Sequence, residues 1–169
     1  MLFRSKEKVP GEFKDETIKQ FVIEQLVDSR LWLVAAKDMG ITVSDGDLRE
    51  MILQVPEFQK NGAFDPELYQ RLLAANHLTP KVFEEAQAKE ILGNKARMFV
   101  RDAVALTPSE ISEGQALMTR QPDSDPAKAT AAKDRVLQDM LLQKQQRALM
   151  AYQESLKGKI PVKIHRELL

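Results

Sequence analysis

The stretch "PEFQKNGAFDPELYQRLL", Pro56–Leu73, sets two folding rules against each other. An Asn-Gly pair between apolar residues signals a β-hairpin, because both central residues of a type I′ turn need φ > 0. Yet Pro56 closes one helical pattern, and Asp65-Pro66, a capping residue followed by proline at the first helical position, opens another. No alternating run of strand length flanks the pair. Asn61-Gly62 is therefore read as a tight connection between two helices, not as a hairpin between strands. Phe58 and Phe64, on either side of the turn, are expected to fold inward and pin the reversal to the core.

The same punctuation recurs outward from this stretch. Thr79-Pro80 and Thr107-Pro108 repeat the cap-then-proline order, which places helices over Pro66–Ala75, Pro80–Ala103 and Pro108–Thr119. Upstream, Ser44 with Asp47 three residues on starts a short helix, Asp45–Gln54, whose inner face is Leu48, Met51 and Ile52. Before it, Asp15 caps a long helix to about Met39, with Gly40 as its stop. Two adjacent stripes on that helix, Val22-Leu26-Leu33-Ala36 and Ile23-Val27-Leu31-Val34, make most of its circumference apolar and predict a central core helix. In the helix from Pro80, Val82, Phe83, Ala86, Ile91, Met98 and Phe99 fall at broadly helical spacing, so each Met or Phe is read as core, with Gly93 allowing a close crossing or a kink.

Downstream, residues 120–130 hold two prolines, several turn formers and no large apolar side chain, the composition of a linker. A long helix is expected over Ala131–Lys157, with Leu137, Met140, Leu141, Lys144, Ala148 and Tyr152 near heptad spacing. Such a one-sided stripe must pack on something. The closing "IPVKI" alternates Ile160, Val162 and Ile164 and is read as a strand, for which the N-terminal lead around Leu2–Val9 is the expected partner. The domain reading is a lead over 1–14, a helical core over 15–119, a linker over 120–130, and a helix plus strand over 131–169 that completes the same unit. The fold class is all-α, with at most a two-stranded β pair joining the termini.

A chain of 169 residues can bury one substantial core but not two ordinary ones. Its 25 basic and 25 acidic side chains cancel, which removes the field expected of a dedicated nucleic-acid binder. The balance is uneven: residues 1–126 carry 16 Lys/Arg against 21 Asp/Glu, and residues 127–169 carry 9 against 4. No apolar run reaches the roughly 20 residues that a spanning helix needs. Cysteine is absent, which excludes disulfides and thiol catalysis. His77 and His165 lie far apart, each beside an element end and outside any metal-ligand spacing. There is no Gly-rich phosphate loop, and the carboxylate pairs Asp45/Asp47 and Glu84-Glu85 sit at helix starts, where the macrodipole explains them. Neither a catalytic site nor a cofactor is expected, and a role in binding through apolar surface is what remains.

The path Val22–Leu92 resembles the N-terminal chaperone module of the SurA, PpiD and PrsA group of extracytoplasmic folding factors. The matching features are a long helix running into Ala36-Lys37-x-x-Gly40-Ile41-x-Val43-Ser44-Asp45, then Phe58-Gln59-x-x-Gly62-x-Phe64-Asp65, then Tyr69 and Leu72-Leu73, then Leu78-Thr79-Pro80-x-x-Phe83-Glu84. The resemblance implies a helical module completed by a C-terminal helix that packs back, and it provides a docking place for the orphan stripe. Many relatives carry parvulin-type prolyl isomerase domains where this chain has only its linker, so the resemblance implies a chaperone without isomerase activity. It also implies unfolded or outer-membrane-destined polypeptides as clients and a periplasmic or extracytoplasmic location. Candidate client-binding residues are Phe58, Phe64, Tyr69, Met98 and Met118, each with a competing core reading. Two alternatives stand beside the chaperone: one part of a prolyl isomerase, and a homodimerising module that exchanges its C-terminal helix. Nucleic acid, a membrane span and a metal are not expected.

Overall fold

The structure, a computed structural model, describes residues 15–119 and 126–164. Six helices run in chain order: α1 (Asp15–Asp38), α2 (Asp45–Gln54), α3 (Pro66–Ala75), α4 (Pro80–Asp102), α5 (Pro108–Thr119) and α6 (Pro126–Lys159). Between α2 and α3 lie a single 3-10 turn, Pro56–Phe58, and two short strands, β1 (Gln59–Lys60) and β2 (Ala63–Phe64). The all-α class and the order of the helices agree with the sequence.

The helix starts form for the reasons that made them legible. Ser44 accepts from Asp47 N–H while Asp47 accepts from Ser44 N–H, a full capping box at α2. Asp65 accepts from the N–H groups of Glu67 and Leu68, and Thr79 from that of Val82. Glu110 accepts from both the N–H and the hydroxyl of Thr107 at α5. Two of these capping carboxylates also reach a lysine on another helix. Lys95 of α4 lies 2.6 Å from Asp47, and Lys144 of α6 lies 2.7 Å from Glu110. A local signal thus doubles as a tertiary tie.

The core forms two clusters. In the first, Leu31, Trp32, Ala35 and Ala36 of α1 meet Ala96 of α4 and Leu156 of α6. Small residues at the α1–α4 crossing let the backbones approach, and Trp32 fills the remaining space, with the Arg97 guanidinium 5.4 Å from its ring and the Tyr152 ring 5.6 Å away. In the second, Ile52, Phe58, Tyr69 and Leu73 join α2, the 3-10 turn and α3, with Phe64 and Phe83 packed against them. α6 lies against α1, α4 and α5 of its own chain, which gives helix exchange between copies no support.

Several expectations are corrected. Asn61-Gly62 is a hairpin after all: β1 and β2 pair antiparallel, Gln59 with Phe64 and Lys60 with Ala63, around Asn61 at φ 54° and Gly62 at φ 79°. Two residues per strand suffice, because the packing of Phe58 and Phe64 supplies what the short ladder lacks. The positive φ of both turn residues is the type I′ signature that the dipeptide advertises. The segment after α6 is not a strand among the described residues, and its expected partner, Leu2–Val9, lies outside them. α6 starts at Pro126 rather than Ala131. In sequence, Asp125-Pro126 repeats the order of Asp65-Pro66. Val82, Met98 and Phe99 are exposed rather than core, because α4 turns Leu92, Ala96 and Val100 toward α1. Gly93 is buried, but a Cβ there would meet only ordinary contacts, the nearest at 3.6 Å, so the crossing does not require glycine.

Candidate functional site

The five residues singled out from the sequence do not form one site. Phe58 and Tyr69 are each only 7% exposed and belong to the second cluster. The Phe58 ring stands edge-on to Tyr69 at 4.9 Å and to Phe83 at 5.6 Å, geometry in which ring edges meet ring faces. Tyr69 donates its hydroxyl to Glu84 at 3.2 Å. Burial, reinforced by the Glu84 carboxylate, pushes the Tyr69 phenol up to about 12. Phe64 is half-buried against Tyr69. These three are anchors of the hairpin. Met98 is half exposed on α4 beside the more exposed Phe99, away from the aromatic group. The side chain of Met118 lies outside those described.

An accessible apolar groove lies elsewhere. α1 is buried mainly along its C-terminal half, with Ile23 the buried residue before it. Toward its start, Phe21 is 61% exposed, Leu26 56% and Ile18 50%, with Val22 also exposed. This corrects the reading of α1 as a core helix throughout. Beside α1 runs the segment Pro161–Ile164, outside any helix or strand, whose Val162 and Ile164 are exposed as well. Between helix and segment lies an open groove of about 380 Å³ with Leu26, Leu31 and Val34 on one wall and Ile160, Val162 and Ile164 on the other. It continues over Ile23 and Val27 into a more polar hollow of about 520 Å³ that reaches Glu24, Asp28 and Lys157. There Asp28 Oδ1 is buried without a hydrogen bond, and Lys157 Nζ faces it at 3.4 Å as an ion pair only.

The two halves of this groove were both visible in the sequence but were not joined. α1 reads as apolar over most of its circumference, and "IPVKI" as an unpartnered alternating segment. Only the packing places them side by side.

The groove carries no array suited to bond chemistry. Among the described residues no group of three His, Cys, Asp or Glu stands close enough to hold a metal ion, and no helix is long and apolar enough to cross a membrane. An apolar trough with a polar end can hold a chain segment in place, with burial as the driving force.

Comparison with known proteins decides the family. The model of the SurA-like N-terminal domain matches residues 4–97, from before α1 to well into α4. The chain belongs to the SurA-like N-terminal domain family. Its relatives include the periplasmic chaperone PpiD of Haemophilus influenzae, 36% identical over 62 residues, which is 37% of this chain and 10% of that protein. PpiD of Buchnera aphidicola is 30% identical over 68 residues, 40% of this chain and 11% of the relative. PpiD of Escherichia coli K12 is 24% identical over 106 residues, 63% of this chain and 17% of the relative. The chain therefore matches only a small part of these relatives' length. No solved structure matches significantly. In this SurA-like chain α5 ends at Thr119 and α6 begins at Pro126, so no parvulin domain is inserted between them.

Proposed function

We propose that this SurA-like chain is the polypeptide-holding module of a periplasmic chaperone, and that it grips extended apolar segments of unfolded or outer-membrane-destined proteins in the groove between α1 and Ile160–Ile164. The observation that carries the reading is the open apolar groove itself, whose walls include the exposed Leu26, Val34, Val162 and Ile164, with Ile18 and Phe21 at least half exposed toward the start of the same helix. Large exposed apolar patches on a soluble fold mark interaction surfaces. Nonspecific burial in such a trough is weak and reversible and suits many client sequences. The family membership and the PpiD relatives point the same way. The module acts by holding, without isomerase turnover.

Fluorescence anisotropy with labelled peptides rich in Leu, Phe and Val tests the reading. Saturable binding that Leu26→Asp removes, while Met98→Asp leaves it in place, is the expected result. A proline-limited peptide assay should return the uncatalysed rate. Binding that Met98→Asp or Phe64→Ala removes and Leu26→Asp does not would move the site away from the groove, and measurable isomerase turnover would overturn the non-enzymatic reading.

A further inference from the structure

The groove between α1 and Ile160–Ile164 carries charge of one sign. Its walls hold two charged side chains, Arg30 on α1 and Lys163 on the facing segment, and no carboxylate. Arg30 follows Leu26 by one helical turn and precedes Val34 by another, so the three form a row along the wall. Lys163 stands between Val162 and Ile164. Both cations are exposed, and among the described residues neither takes part in an ion pair, whereas Lys95, Lys144 and Lys157 each face a carboxylate. Arg30 also borders the crevice toward α4, but Glu85 and Glu90 there do not pair with it. The adjoining hollow does not offset the two cations, because its own charges balance, Glu24 and Asp28 against Lys157 and Lys159.

From Leu26 to Val34 the helix wall is about 12 Å long at roughly 1.5 Å per residue, the reach of about four residues of extended chain at roughly 3.3 Å each. Side chains of an extended chain alternate between two sides. With every second one in the apolar trough, those between point out toward its lips, where long cationic side chains keep their heads in water. A carboxylate there meets a cation from either wall, and arginine presents a planar fork that fits it bidentately. A lysine in the same position meets like charge, and an amide brings no charge to offset the cations.

We propose that the groove selects client segments in which apolar residues alternate with acidic ones, the apolar side chains lying in the trough and the carboxylates meeting Arg30 and Lys163. The proposal rests on the groove being the client site and adds the sequence chemistry that fills it. Burial of the apolar side chains supplies most of the affinity, and the two cations supply the choice among segments of equal apolar content. Each exposed pair contributes little by itself, so the selectivity is graded rather than absolute.

Fluorescence anisotropy on the full chain with three labelled, terminally blocked peptides tests the selectivity: Leu-Asp-Val-Asp-Leu, its Asn counterpart and its Lys counterpart. At low salt the native chain should bind the Asp peptide at least about fivefold more tightly than the Lys peptide, with the Asn peptide between them. The gap should contract to within about twofold at roughly 0.5 M salt, a readout that needs no variant. Arg30→Glu/Lys163→Glu should reverse the order. Lys60→Glu/Lys81→Glu, the same change of net charge at exposed lysines outside the groove, should keep it. Equal affinities for the three peptides, an order that survives Arg30→Glu/Lys163→Glu, or one lost equally in Lys60→Glu/Lys81→Glu would each overturn the proposal. Phosphatidylglycerol vesicles that displace the Asp peptide would assign the two cations to a lipid surface and overturn it too, as would self-association that Arg30→Glu/Lys163→Glu abolishes. If peptides rich in Leu, Phe and Val bind and none of these three does, the selectivity fails alone; if neither set binds, the client reading fails with it.

Discussion

Phe58 and Phe64 look equivalent in the sequence, one on each side of Asn61-Gly62, but the structure separates their energetics. Phe58 is buried among Tyr69 and Phe83, so Phe58→Ala should cost about 3–5 kcal/mol in chemical denaturation, as large core truncations do. Phe64 is half-buried and should cost only about 1–2 kcal/mol. The reverse order would mean that the hairpin, not the aromatic cluster, organises this end. Gly62 is tested separately, because at φ 79° a Cβ meets nothing within 4 Å. Gly62→Ala should therefore cost about 1 kcal/mol through backbone conformation alone. A neutral result would show that the turn relaxes out of its positive-φ form. These residue-scale features were partly legible: the phenylalanines were correctly read as anchors. The turn type was overruled by its helical surroundings, because the sequence does not show that a two-residue ladder is enough when aromatic packing backs it.

Helix boundaries were the most legible feature, since Asp65-Pro66, Thr79-Pro80 and Thr107-Pro108 each state a start in local chemistry. What a cap cannot state is its tertiary partner. The Lys144 ammonium on α6, with the Thr107 N–H and hydroxyl, holds the Glu110 carboxyl down at about 2 from its usual 4.5. Lys95 and the Ser44 cap lower Asp47 in the same sense. Both carboxylates are depressed in the folded state, so the stability they add is present above their unfolded values and is lost as pH falls through their folded ones. Thermal melts should show native Tm exceeding that of Glu110→Gln at neutral pH, and the gap should close as pH drops from about 4.5 to about 2. A gap that stays constant with pH would assign the α5–α6 tie to packing alone. The end of α6 was least legible, since alternation in Ile160–Ile164 signals a strand only if a partner lies beside it.

At the scale of the whole molecule, the two-cluster core explains why one end of α1 is bare. α4 and α6 cover α1 most fully around Leu31, Trp32, Ala35 and Ala36, with Val27 packed at the margin. Periodicity alone reads an apolar helix face as buried, because it records what a residue prefers and not which neighbour is present. The same limit hid the exposure of Met98 and Phe99 and led the sequence reading to place client contacts on aromatic anchors. Charge placed along the groove should spare the fold, since Leu26 and Val162 are exposed to water already. The most direct measurement of the central claim is light scattering from a denatured client protein diluted into buffer with an equimolar amount of this chain or of Leu26→Asp/Val162→Asp, one substitution on each wall of the groove, with both Tm values recorded. The native chain should suppress aggregation and the double variant should fail to do so at an unchanged Tm. Suppression by both chains alike, or by neither, would contradict the assignment of the groove between α1 and Ile160–Ile164 as the site that holds clients.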